Sequence, residues 1–150
     1  MVDIHVLIRF GRWDTILSLS FPDDKKLFCC RQASLHYARG IAYAALAQIN
    51  EAKTELACLE ILVDNDNELH GRLVHNNTAV DILRIAIFML RGEISYRSQQ
   101  FDEAFENLKK AVSLEDSLAF DEPWGWVGII SLFFYLPELL TYRCNPFVMH

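Results

Sequence analysis

Three observations predict an all-α chain built from antiparallel helical hairpins. Proline and glycine are scarce, with 4 and 6 copies in 150 residues, and extended alternating β-branched runs are missing, so helices are easy to place and strands hard. Two long segments carry apolar residues at helical spacing. A pattern also recurs 52 positions apart, from Gly40 to Ala52 and again from Gly92 to Ala104, as in a chain that folds one supersecondary unit more than once.

Taken in order, residues 3–20 form a partial unit. Residues 3–10 are a short first helix, and Gly11-Arg12-Trp13-Asp14-Thr15-Ile16 fits the turn and second helix, with Trp13 in the place of Phe101 and Ile16 in that of Ala104. Phe21-Pro22-Asp23-Asp24 then breaks the helix. Residues 31–46 place Ala33, Leu35, Ala38, Ile41, Ala42, Ala45 and Leu46 at helical spacing. Gln48-Ile49-Asn50-Glu51-Ala52 opens the partner helix and returns as Gln100-Phe101-Asp102-Glu103-Ala104.

A mid-helix glycine costs about 1 kcal/mol relative to alanine, so two of them at one offset from a small residue point to a steric need. Gly40 is therefore expected to face Ala52, and Gly92 to face Ala104, across each hairpin. Ile49 and Phe101 would seat the turns, while Asn50 and Asp102 suit the N-caps of the second helices. Residues 62–77 are polar and read as a loop or a lengthened hairpin on the rim. Thr78 and Asp81 then offer a capping-box-like start to a helix over 79–96, which carries Ile82, Leu83, Ile85, Ala86, Met89 and Leu90.

These residues resemble the tetratricopeptide repeat family, whose unit is a pair of antiparallel helices. Gly40, Tyr43, Ala52, Leu56 and Leu59 match the family pattern in one unit (about 31–62), and Gly92, Ala104, Leu108 and Ala111 in the next (about 85–116). His36 and Arg39 stand where the family has tryptophan and leucine, Ser95 where it has tyrosine, and Asp64 and Asp116 where it has its closing proline. A family unit spans about 34 residues, so the 52-residue offset carries an insertion at residues 62–77.

The resemblance implies a domain over residues 1–126 shaped as a short solenoid, and a protein–protein interaction scaffold with no enzyme activity and no cofactor. A peptide or helix of a partner protein would lie in the concave groove lined by the first helices. On that mapping the ligand-binding residues are Tyr37, Ile41, Met89, Glu93, Tyr96 and Arg97, with Ser34, Ala44 and Ala86 beside them. Family members that grip a C-terminal carboxylate do so with lysines and asparagines. Tyr37, Ile41 and Ala86 stand at such places here, so that ligand class is not expected.

Fourteen Lys and Arg against twenty Asp and Glu leave a net charge of −6 with no basic block, which argues against nucleic acid as a partner and disfavours an anionic membrane surface. Four cysteines without an export signal read as reduced thiols, with a cytoplasmic location. Cys29, Cys30 and His36 supply the alternative function, a small regulatory or enzyme-associated fragment with a reactive thiol, because Cys29 and His36 can share a helix face. Asp64-x-Asp66-x-Glu68 resembles half a calcium loop but lacks its glycine and closing glutamate, and His70 and His75 are not spaced as paired zinc ligands, so no metal is expected.

Residues 127–150 form an apolar tail in which the repeat signature is lost. The uncharged stretch from Pro123 to Pro137 is shorter than the roughly 20 residues that span a bilayer. Three readings of the tail stand: it covers the last hairpin, it joins another chain or a membrane surface, or it is a foreign segment in a truncated gene product. Uncapped repeat ends also permit self-association.

Overall fold

The computed structural model describes residues 2–119. Among them are seven helices and one two-stranded ribbon, an all-α architecture. Helix α1 (Val2–Arg9) pairs with α2 (Trp13–Ser18), α3 (Cys29–Ala45) with α4 (Ile49–Asn65), and α6 (Ala79–Arg97) with α7 (Phe101–Asp116). The insertion holds the short helix α5 (Asn67–His70) and strands β1 (Leu73–Val74) and β2 (Asn77–Thr78), paired antiparallel with Leu73 opposite Thr78. The apolar tail at 127–150, and the part of the 1–126 domain from residue 120 onward, lie outside the described residues.

One turn is used three times. The amides of Arg12, Gln48 and Gln100 donate to the carbonyls of Leu7, Tyr43 and Ser95, and those of Gly11, Ala47 and Gln99 donate to Ile8, Ala44 and Tyr96. This nested pair of bonds satisfies the last carbonyls of each first helix and requires a left-handed residue between them. Gly11, Ala47 and Gln99 fill that place at φ +61°, +60° and +62°. Only the first is a glycine, so the other two turns are held against a conformational cost of about 1 kcal/mol each.

The same turn corrects the expected N-caps. Arg12, Gln48 and Gln100 close the first helix and serve at once as the N-cap of the second, without side-chain bonds. Asn50 and Asp102 consequently fall within the first turn of α4 and α7. At Thr78 the expected cap forms, its hydroxyl accepting from the Asp81 amide at 3.1 Å and donating to the Asp81 carboxylate at 2.6 Å.

Helix α6 is the centre of the molecule, packed against α3, α4 and α7. Its buried Ile82, Leu83, Ile85, Ala86 and Leu90 join Ala33, Tyr37, Ile41, Leu59 and Val63 in the main core. A second cluster of Ile4, Ile16, Leu35, Ala38 and Ala42 ties α1 and α2 to α3.

The two mid-helix glycines admit different neighbours. A Cβ at Gly92 would stand 3.3 Å from the Ala104 carbonyl oxygen and 2.8 Å from Leu108, within its own hairpin. At Gly40 the nearest atoms belong not to Ala52 but to Leu90, whose Cδ2 would lie 2.5 Å from a Cβ. Gly40 thus makes room for the next hairpin. Repeat position fixes where the small residue falls, and the approach of the neighbouring helix fixes what it accommodates.

The insertion is ordered by its own polar groups. Asp66 caps α5 by accepting from the Glu68 and Leu69 amides, which uses the carboxylate that resembled a calcium ligand. Leu69 and Val74 face the core. Buried Asn77 holds Ala119 by both ends of its amide, at 2.9 and 2.8 Å, and so fastens the ribbon to the residues after α7.

Candidate functional site

Counting back from the shared turn puts equivalent residues of α1, α3 and α6 in register. Six places before the left-handed residue stand His5, Ile41 and Glu93, and ten places before it stand Tyr37 and Met89. The structure joins these positions into a row. The His5 ring centre is 6.4 Å from that of Tyr37, the Tyr37 hydroxyl points at Met89 Sδ at 4.0 Å, and Glu93 accepts from Arg97 Nε at 2.8 Å. Tyr96 stands edge-on to Phe101, with ring centres 5.3 Å apart.

Burial divides the expected ligand-binding residues. Tyr37, Ile41 and Met89 are 3%, 9% and 8% exposed and belong to the main core, so a partner cannot rest on them without displacing native packing. Ser34, Ala44 and Ala86 are buried as well. Glu93 and Tyr96 are half-buried and Arg97 is exposed. These three, with half-buried His5, carry the accessible chemistry of the row: a carboxylate, a phenol, a guanidinium and an imidazole. Burial, reinforced by the Glu93 charge, pushes the Tyr37 phenol well above its ordinary range and keeps it neutral. Burial also lowers the His5 imidazole. His5 escaped the sequence reading, although the register of the partial first unit would have found it.

A polar cluster lies on the other side of α3. The Glu55 carboxylate of α4 accepts from His36 Nδ1 at 2.6 Å and from Arg39 Nε at 2.8 Å. The Arg39 guanidinium also reaches the Leu17 carbonyl and the Tyr43 hydroxyl and lies 5.3 Å from the centre of the Phe21 ring, against which His36 also packs. Burial by itself would raise the Glu55 pKa, but the hydrogen bonds and charges of His36 and Arg39 outweigh it and hold the carboxyl below its ordinary value. The cluster fastens the segment after α2 to the α3–α4 hairpin.

His36 is thereby bonded to Glu55 rather than serving as a base for the cysteines. Cys29 is buried, and burial together with the neighbouring Cys29 pushes the Cys30 thiol up to about 11, against a smaller opposing effect of Arg72. Both features work against a thiolate nucleophile.

Among the described residues no three His, Cys, Asp or Glu side chains are placed to hold a metal ion, and no helix is long and apolar enough to cross a membrane. A cavity of about 260 Å³ opens between the first turn and Leu46, lined by Gly11, Arg12, Trp13, Asp14 and Thr15, none of them a residue expected to bind a partner. Compared with protein-family models, curated proteins and solved structures, the chain matches none.

Proposed function

We propose that this chain is a tetratricopeptide-like repeat scaffold that binds a peptide or helix of a partner protein along the face formed by its first helices. The observation that carries the reading is the threefold use of one turn at Gly11, Ala47 and Gln99, which keeps α1, α3 and α6 in a common register. Repeats of this kind gain specificity from side chains presented in rows. Here Tyr37 and Met89 form the buried base, and Tyr96, Arg97, Glu93 and His5 present contact groups to the partner. Tyr96 offers rigid amphipathic area, and Arg97 and Glu93 can pair with opposite charges on a peptide.

The test is affinity capture from a cell extract by the intact chain and by a Tyr96→Ala/Arg97→Ala variant of unchanged thermal stability. A partner recovered by the parent and reduced about tenfold or more by the variant, the loss of one to two contact residues, supports the reading. Equal recovery by both overturns it. The reactive-thiol alternative predicts fast alkylation of Cys30 at neutral pH, contrary to its raised pKa.

A further inference from the structure

The junction between neighbouring hairpins follows one pattern. Counted back from Ala47, the left-handed residue of their turn, Leu35, Ala38 and Ala42 of α3 stand twelve, nine and five places before it. They cluster with Ile4 and Ile16 of the preceding hairpin, with Leu7, Ile8, Trp13 and Leu17 beside them. Ile4 stands seven places before Gly11, and Ile16 five after it. The next junction repeats these offsets. Leu90, nine before Gln99, lies against Gly40, seven before Ala47, and Ile94, five before Gln99, is buried. The turns stack in the same sense, since Leu46 shares a cavity with Gly11, Arg12, Trp13, Asp14 and Thr15 of the turn before.

Two faces of the molecule carry the complementary halves of this pattern and keep apolar side chains in solvent. On α1, Val6 takes the place of Ala42 and Ile94, and Phe10 that of Leu46, yet Val6 is 47% and Phe10 72% exposed. The Phe10 amide donates to the Val6 carbonyl at 3.1 Å, so the two side chains lie one helical turn apart on the same side. On the α6–α7 hairpin, the half-buried Tyr96 and Phe105 take the places of Ile8 and Leu17, and Phe101, 37% exposed, that of Trp13. Charge agrees with shape. Arg9 and Arg12 flank Phe10, with Asp14 the nearest acid after them in sequence. Asp102 and Glu103 follow Phe101, and residues 98–108 contain no base; of their three acids Glu106 alone bridges a lysine, Lys109.

We propose that copies of this chain associate head to tail, the outer face of α1 in one copy seated on the outer face of the α6–α7 hairpin of the next, in the pattern that joins hairpins within the chain. Val6 then packs on Tyr96 and Phe105, Phe10 enters against Phe101 as Leu46 does beside Trp13, and Arg9 and Arg12 come opposite Asp102 and Glu103. The contact continues an interface that the chain already builds twice, and its two halves belong to one sequence, which selects a second copy as the occupant. Because the two faces differ, the contact is heterologous, and every copy offers one of each to further neighbours. The proposal is independent of peptide binding in the groove.

The experiment is sedimentation velocity of the full chain from about 1 µM to 1 mM, the range of weak interfaces, with the variants Phe10→Glu and Phe101→Glu. The parent should grow in mass with concentration, and each variant should associate about tenfold or more weakly. An equimolar mixture of the two should recover association but stop at two chains, since each variant keeps the face that the other has lost. Circular dichroism checks that the variants fold, and Glu103→Lys, at an exposed residue, tests the α6–α7 face without touching packed groups; it should weaken association about fivefold. A parent that stays monomeric overturns the proposal, and so does a Glu103→Lys variant that associates like the parent. Loss of association in Phe10→Glu with none in Phe101→Glu also overturns it, because that is the signature of a two-fold pairing of α1 with α1.

Discussion

Replacing Gly40 by alanine sets two opposing effects against each other, and the structure decides their sum. Alanine favours a helix interior over glycine by about 1 kcal/mol. The added methyl would lie 2.5 Å from Leu90 Cδ2, 3.0 Å from Cδ1 and 3.3 Å from Cγ. Leu90 is fully buried at the centre of α6 and cannot swing into solvent. Overpacking of this kind costs about 1–3 kcal/mol, and the 2.5 Å approach to a fully buried side chain places it in the upper part of that range, so Gly40→Ala should destabilise by up to about 2 kcal/mol net, or several degrees in Tm.

The decisive comparison uses a second background. Leu90→Ala leaves a cavity and costs about 2–5 kcal/mol alone. Adding Gly40→Ala to Leu90→Ala should then stabilise by about 1 kcal/mol, because the clash is gone and only the helix preference remains. Urea unfolding of the four proteins gives the cycle directly. Gly40→Ala with the same sign in both backgrounds would refute the reasoning, and rescue by Ala52→Gly instead would restore the within-hairpin pairing that the structure corrects.

Other outcomes follow from the same structure. Ala47→Gly and Gln99→Gly relieve left-handed strain and should each stabilise by up to about 1 kcal/mol, while Gly11→Ala costs a similar amount, all read as urea midpoints. Folding lowers the Glu55 pKa, so its contribution is fully present above the ordinary value of 4.5 and is lost as pH falls through its folded value. Thermal unfolding of Glu55→Gln should therefore show a flatter pH profile than the parent below about pH 4.5. Alkylation of the Cys30 thiol should be slow at pH 7 and rise toward its midpoint near 11, whereas a plateau near neutrality would restore the reactive-site reading.

The helices and their pairing were legible because apolar spacing and the 52-residue offset can both be read along the chain without knowing how the helices pack. The turn was legible too, since Ile49 and Phe101 mark the same step after it. What the sequence lacked was the angle at which one hairpin lies on the next. Leu90 meets Gly40 through that angle, and the same packing buries Tyr37, Ile41 and Met89, which a groove mapping would have left open.

Strands of two residues, β1 and β2, are too short to show alternation in the sequence, so the insertion read as a loop or a lengthened hairpin. The spacing of Cys29 and His36 described one helix, whereas the partner of His36 is Glu55 on another. Asn50 and Asp102 suited N-caps by type, but the turn had already supplied the cap from Gln48 and Gln100.

The central claim is that the hairpins stack through their first helices to make one continuous face. Nuclear Overhauser contacts in the intact chain test it most directly. The account predicts contacts from the Gly40 Hα protons to the Leu90 methyls, from the Tyr37 ring to the Met89 methyl, and from the Tyr37 ring to the His5 ring. Gly40 contacts confined to the Ala52 methyl, with none linking Tyr37 to His5 or Met89, would contradict it.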